Sequence, residues 1–144
     1  MQLKPEEIRD EVLLSKDMFK ETVWHKAARS GQVEILEKLW DWAKKLKLGP
    51  EELRNAVLLK DDFGQAAWHK AAQGGHLEVL EKLWDWANEL QLKPEELRNE
   101  ILLSKDVFGK TAWQKAVEGG HVKVLEKFRD WANELQLKPE EFLL

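Results

Sequence analysis

Apolar side chains fall along this chain in three recurring patterns. From Val33 past Ala43 they stand at Leu36, Leu39, Trp40 and Ala43, the i, i+3, i+4, i+7 spacing of a helix with one buried stripe. Just before it, between Thr22 and Arg29, Trp24, Ala27 and Ala28 occupy i, i+3 and i+4, and Gly31 follows as a stop signal. The Ala pair leaves room for a close helix neighbour. A third pattern opens at Pro50, with Glu51 and Glu52 next and Leu53 and Val57 at i and i+4. Proline suits the first helical position, and two acids in the first turn favour the helix dipole. The patterns predict helix A from Thr22 to Arg29, helix B from Val33 past Ala43, and helix C from Pro50. Helix B is expected to stop at Leu-Gly-Pro or Leu-Lys-Pro, because a residue before proline is pushed away from helical dihedrals.

Each pattern recurs. Trp24, Trp68 and Trp113 begin matching strings 44 and then 45 residues apart, and Leu-Glu-Lys returns at residues 36–38, 80–82 and 125–127. The proline motif occurs four times, at Leu3-Lys4-Pro5, Leu48-Gly49-Pro50, Leu92-Lys93-Pro94 and Leu137-Lys138-Pro139, each followed by two Glu. The chain therefore reads as one repeat domain over 1–144: a leading helix C in 1–16, units at 17–60 and 61–105, and a third unit at 106–144 whose helix C is cut short. An all-α fold with little or no β structure follows, with only a short turn from helix C to the next helix A, as over Ser15 to Glu21.

The motif order resembles that of the ankyrin repeat family. The second unit shows it best, with Asp61, Gly64, Trp68-His69, Ala71-Ala72, Gly75-His76, then Glu78-Val79-Leu80 and Leu83. The family's Pro is replaced by Val23, Ala67 or Ala112, its Leu by Trp, its Thr cap by Ala66 in the second unit and its His by Gln114 in the third. The units are also about 45 residues long against the family's roughly 33, which makes this a long-repeat variant with an added third helix. The resemblance implies an ankyrin-like helical solenoid that binds partners on its turns and on the exposed, concave side of helix A.

Composition narrows the function. The net charge is −4 at a pI of about 5.7, which disfavours nucleic-acid binding. No apolar run suits a membrane span or a secretory signal. Zero Cys removes disulfides and thiolate chemistry, so a cytoplasmic or nuclear location is expected. No cofactor, metal site or enzymatic activity is expected. The Glu pairs sit at helix starts, Gly74-Gly75 lacks the Lys-Ser or Lys-Thr of a phosphate loop, and His25, His69, His76 and His121 are explained as backbone hydrogen bonders. The Trp residues read as core, with helix C rather than helix A the contact held open for Trp42, Trp86 and Trp131.

Two features point to a partner surface. Lys26, Lys70 and Lys115 share one place in helix A, and stacking would line them up as a basic row suited to an acidic protein or peptide. Positions that differ between otherwise similar units form the second: Met18, Asp62 and Val107 in the turn, Glu21, Gln65 and Lys110 before helix A, and Arg29, Gln73 and Glu118 at its end. The expected function is a non-catalytic protein–protein interaction module. The alternative is a designed, consensus-derived or excised repeat scaffold with no ligand of its own, which the near-identity of the units favours. Arg129 and Lys20, which replace a repeated Trp and Gly, read as solubilised ends, whereas Phe142-Leu143-Leu144 reads as a truncated one. The chain is expected to be a monomer or to self-associate weakly through that C-terminal end.

Overall fold

The computed structural model describes residues 4–142, so Leu143 and Leu144 of the expected C-terminal face lie outside the described residues. Helix A appears as α2 (Val23–Arg29), α5 (Ala67–Gly74) and α8 (Ala112–Gly119). Helix B appears as α3 (Val33–Lys45), α6 (Leu77–Glu89) and α9 (Val122–Glu134). The proline motifs open α1 (Pro5–Glu7), α4 (Pro50–Leu58), α7 (Pro94–Glu96) and α10 (Pro139–Phe142). The fold is all-α, with no strand among the described residues. The copies pack in chain order, α2 on α5 and α5 on α8, with α3 on α6 and α4 set against α5 and α6 of the next copy.

The one-residue difference between the repeat periods has a structural cause. Asp61 follows Pro50 by 11 residues, whereas Asp17 follows Pro5, and Asp106 follows Pro94, by 12. In the shorter copy α4 is a regular helix, and Leu59 N–H donates to Asn55 O, four residues back. In the longer copies α1 and α7 continue as π-helical segments Ile8–Leu13 and Leu97–Leu102. There Leu14 N–H donates to Arg9 O and Leu103 N–H to Arg98 O, five residues back. The wider π turn absorbs the extra residue and leaves both ends of the helix where the repeat needs them.

Helix B does not end at the proline motif, contrary to the sequence expectation. It stops earlier, as Lys47, Gln91 and Gln136 turn left-handed at φ 57°, 59° and 59°. Leu48, Leu92 and Leu137 then donate back to Ala43, Ala87 and Ala132, closing a Schellman turn that buries each Leu. The proline starts helix C without being needed to stop helix B.

The core between copies is built on tryptophan. Trp40 and Trp86 stack at 4.4 Å and 5°, and Trp24 meets both edge-on at 6.3 and 6.1 Å. Trp68, Trp84 and Trp131 repeat the triad one unit on. Trp86 and Trp131 thus pack on helix A and helix B of the preceding copy, so helix A is the contact that the spacing had left open. Each such aromatic pair adds about 0.5–1.5 kcal/mol beyond its buried area. Trp113 has no triad, because Arg129 stands where Trp40 and Trp84 stand; it meets Phe142 edge-on at 5.4 Å, and Phe142 is buried there. Trp42 is half-buried under Lys38.

Histidines fasten the copies together. His76 Nε2–H donates to Arg29 O and His121 Nε2–H to Gln73 O, so each ring binds the carbonyl end of the preceding helix A. Each ring fills a space that only glycine leaves, since a Cβ at Gly31 or Gly74 would come within 2.4 Å of His76.

Candidate interaction face

The turns that lead into helix A are built alike. Asp17 Oδ1 accepts the backbone N–H of Phe19 and Glu21, Asp61 that of Phe63 and Gln65, and Asp106 that of Phe108 and Lys110. Successive turns are joined by one backbone bond each, Asp62 N–H to Phe19 O and Val107 N–H to Phe63 O, both 2.9 Å. The position after Phe is left-handed in every turn, at Lys20, Gly64 and Gly109. A Cβ at Gly64 would lie 3.1 Å from Val107 N, so the next turn passes directly over it. Lys20 is therefore a strained exchange at that place and not only a solubilising one.

The second oxygen of each Asp takes a lysine from helix A: Lys26 on Asp17 at 3.3 Å, Lys70 on Asp61 at 2.9 Å and Lys115 on Asp106 at 3.1 Å. This corrects the basic row read from the sequence. Lys70 and Lys115 are only 8% and 6% exposed, and Lys26, though open to solvent, is held by the same pair. Their charge is spent on locking the turns, so they do not form a free cationic row. Burial works against ionisation of Asp106, but the Lys110 N–H, the Gln65 amide and the Lys115 ammonium outweigh it and lower its carboxyl to about 2. Asp61 is lowered in the same way, by Lys70 and the N–H groups of Gln65 and Phe63 against its burial.

The varying positions divide. Glu21 pairs with Arg29 at 2.9 Å within the first unit, and Lys110 pairs with Glu118, of opposite sense, within the third. Gln65 is buried and donates to Asp106 Oδ2 at 3.2 Å. Glu21 also lies 3.6 Å from Lys70 of the next unit. The variation at Glu21, Lys110, Arg29 and Glu118 thus tracks local charge complementarity, and Gln65 is a buried bridge to the next turn. The side chain of Gln73 is exposed. Met18, Asp62 and Val107 are exposed at the turn tips, with Met18 at 83%.

Sequence reasoning missed the residue beside each of them. Phe19, Phe63 and Phe108 are exposed by 46%, 42% and 66%, one per turn, and the first two rings lie 5.9 Å apart. A signal was present: a Phe kept in all three copies at a place outside every helical stripe. With Met18 and Val107 beside them, these rings form an apolar row along the turns, and Val117 of α8 is exposed next to its last member. The row ends in an open cleft of about 430 Å³ lined by Phe108, Lys110, Trp113, Gln114, Val117 and Glu118.

The helix starts behind this face are held by their own capping groups. Thr22 Oγ1 accepts from His25 N–H and Thr111 Oγ1 from Gln114 N–H, while Ala66 offers no such oxygen. In return His25 Nδ1 accepts from Thr22 N–H, His69 Nδ1 from Ala66 N–H and Gln114 Oε1 from Thr111 N–H. A bare Nδ1 leaves the proton on Nε2, which His25 donates to Leu59 O, at the end of its own copy, and to Gln65 O of the next, and which His69 donates to Ser104 O, at the end of its own copy. Burial holds both imidazoles below their usual value.

Among the described residues no three His, Asp or Glu side chains are grouped to hold a metal ion. No helix among the described residues is long and apolar enough to cross a membrane.

No family model and no curated protein matches the sequence. Among solved structures, the chain is similar to one in the crystal structure of the yeast ribosomal protein Rps3 in complex with its chaperone Yar1. The TM-score is 0.69 at 22% identity, over 90% of this chain and 77% of that one. At that identity the likeness shows a shared fold and nothing more.

Proposed function

We propose that this chain is an ankyrin-like helical solenoid that acts as a non-catalytic protein–protein interaction module, with the turns and the adjoining surface of helix A as its contact face. The observation that carries this reading is the row of Phe19, Phe63 and Phe108, left in solvent by a chain that buries six of its eight Trp in two triads. Aligned exposed apolar side chains mark contact sites more often than isolated ones do. The turns beneath them are pre-organised by the Asp–Lys pairs and the turn-to-turn bonds. Little ordering entropy is then lost on binding. The similar solved chain comes from a complex between a protein and its chaperone, which is compatible with such a role.

A displayed library of random linear peptides, selected on the parent chain, tests the proposal. Enriched peptides should bind the parent and lose at least about tenfold in affinity to a Phe19→Ser, Phe63→Ser, Phe108→Ser variant that keeps its helical circular dichroism. A library that yields no binders, or binders indifferent to the three Phe, would overturn it.

A further inference from the structure

The chemistry of the partner can be read from which charges on this face remain unspent. The turn and helix A segments, residues 15–30, 60–74 and 104–119, carry nine Lys and Arg against six Asp and Glu, a net charge of +3 in a chain of net charge −4. All six acids are paired within the face: Asp17 with Lys26, Glu21 with Arg29, Asp62 with Lys20, Asp61 with Lys70, Asp106 with Lys115, and Glu118 with Lys110. Three cations are left over. They are Lys16, Lys60 and Lys105, all exposed, and none makes an ion pair among the described residues. Each stands immediately before the Asp that anchors its turn and three residues before the exposed Phe. By its place in the repeat, each turn thus carries an exposed Lys just before its anchoring Asp and an exposed aromatic ring two residues after it, three times over.

We infer that the face binds an extended acidic segment of another protein, in which carboxylates meet Lys16, Lys60 and Lys105 and intervening apolar side chains pack on Phe19, Phe63 and Phe108. This rests on the proposed interaction function and specifies its partner. Charge complementarity selects the occupant. An acidic segment is attracted by the surplus of the face while the acidic remainder of the protein repels it elsewhere, which favours one landing site. A polynucleotide is the weaker match, because one free Lys per unit gives few phosphate contacts on a chain that is acidic as a whole.

The experiment sequences the peptides enriched on the parent and then measures two of them, made synthetically with a fluorophore, by anisotropy. Binding is compared across the parent, the Lys16→Glu, Lys60→Glu, Lys105→Glu variant and the milder set Lys16→Gln, Lys60→Gln, Lys105→Gln, with labelled oligodeoxythymidine as a second probe. The three lysines are exposed and make no ion pair among the described residues, and circular dichroism and melting are the checks that both variants stay folded. The inference expects peptides rich in Asp and Glu around apolar residues, at least tenfold weaker binding to the Glu variant, a smaller loss with Gln, and weakening as salt rises. Peptides that depend on the three Phe but are neutral or basic, or that ignore the Lys changes, would overturn the acidic partner while leaving the interaction module standing. Oligodeoxythymidine bound through the same lysines more tightly than any peptide would overturn it in favour of nucleic acid. An empty library would overturn both readings.

Discussion

Replacing His25 and His69 together by Gln should remove most of the pH dependence of folding just below neutrality. Each ring needs a bare Nδ1 to accept the backbone N–H at its own helix start, and a proton on Nε2 to donate to the carbonyl that follows the helix C segment of its copy. Protonation sets N–H against N–H and puts a charge where burial already holds both imidazoles below the usual 6.5. A depressed imidazole means that the unfolded chain takes up protons that the folded chain refuses. The stabilisation is thus complete above about pH 6.5 and is lost as pH falls below it. Within that window the slope is bounded by about 1.4 kcal/mol per pH unit for each ring, so by about 3 kcal/mol per unit for the two. Total stabilities are about 5–15 kcal/mol, and a loss of that size is readily measured. Gln is the right replacement because Gln114 makes the same reverse bond to Thr111 N–H at 2.9 Å in the third copy. The assay is urea unfolding followed by Trp fluorescence at several pH values between about 7.5 and 5. The parent should lose stability steadily below about pH 6.5, while the double variant stays within a few tenths of a kcal/mol over the same range. A parent with a flat profile, or a double variant with an undiminished slope, would refute the tautomer assignment.

Three further outcomes follow from the geometry. Asp106→Asn should cost about 2.5 kcal/mol near neutrality, the value of lowering a carboxyl from 3.8 to about 2. Because that pKa is depressed, parent and variant should converge in urea titrations as pH falls through 3.8 toward 2; a gap that persists there would mean that packing, not charge, is being measured. Ala66→Thr should stabilise by about 1 kcal/mol by restoring the cap that Thr22 and Thr111 supply at the equivalent buried place, and a lower urea midpoint would count against it. Deleting Ser104 gives the third proline-motif copy the length of the second, so the π-helical segment Leu97–Leu102 should become regular helix with the fold retained. A chain that melts no differently from one shortened by a residue inside α6 would contradict this account of the extra residue.

The sequence by itself determined the repeat, its three helices per unit and the all-α class, because these depend on spacing within one stretch of chain. Apolar stripes at helical intervals, proline at helix starts and glycine after helix ends are local signals, and α2, α3 and α4 lie where those signals put them. Thr22 and Thr111 as caps, with Ala66 as the missing one, were legible for the same reason. What happens between copies was decided by the tertiary structure alone. Lys70 and Lys115 have the sequence signature of a solvated row, yet stacking seats each over an Asp already anchored by its own turn. Glu21 and Arg29, like Lys110 and Glu118, look like unconstrained variation until the fold brings each pair together across eight residues. Trp86 meets Trp24 and Trp40, His25 finds Gln65 O, and the π turn takes up one residue only because the neighbouring copy fixes where each helix must end. The exposure of Phe19, Phe63 and Phe108 has the same origin. An aromatic ring favours burial by its chemistry, and only the finished packing shows that the fold offers these three no place inside.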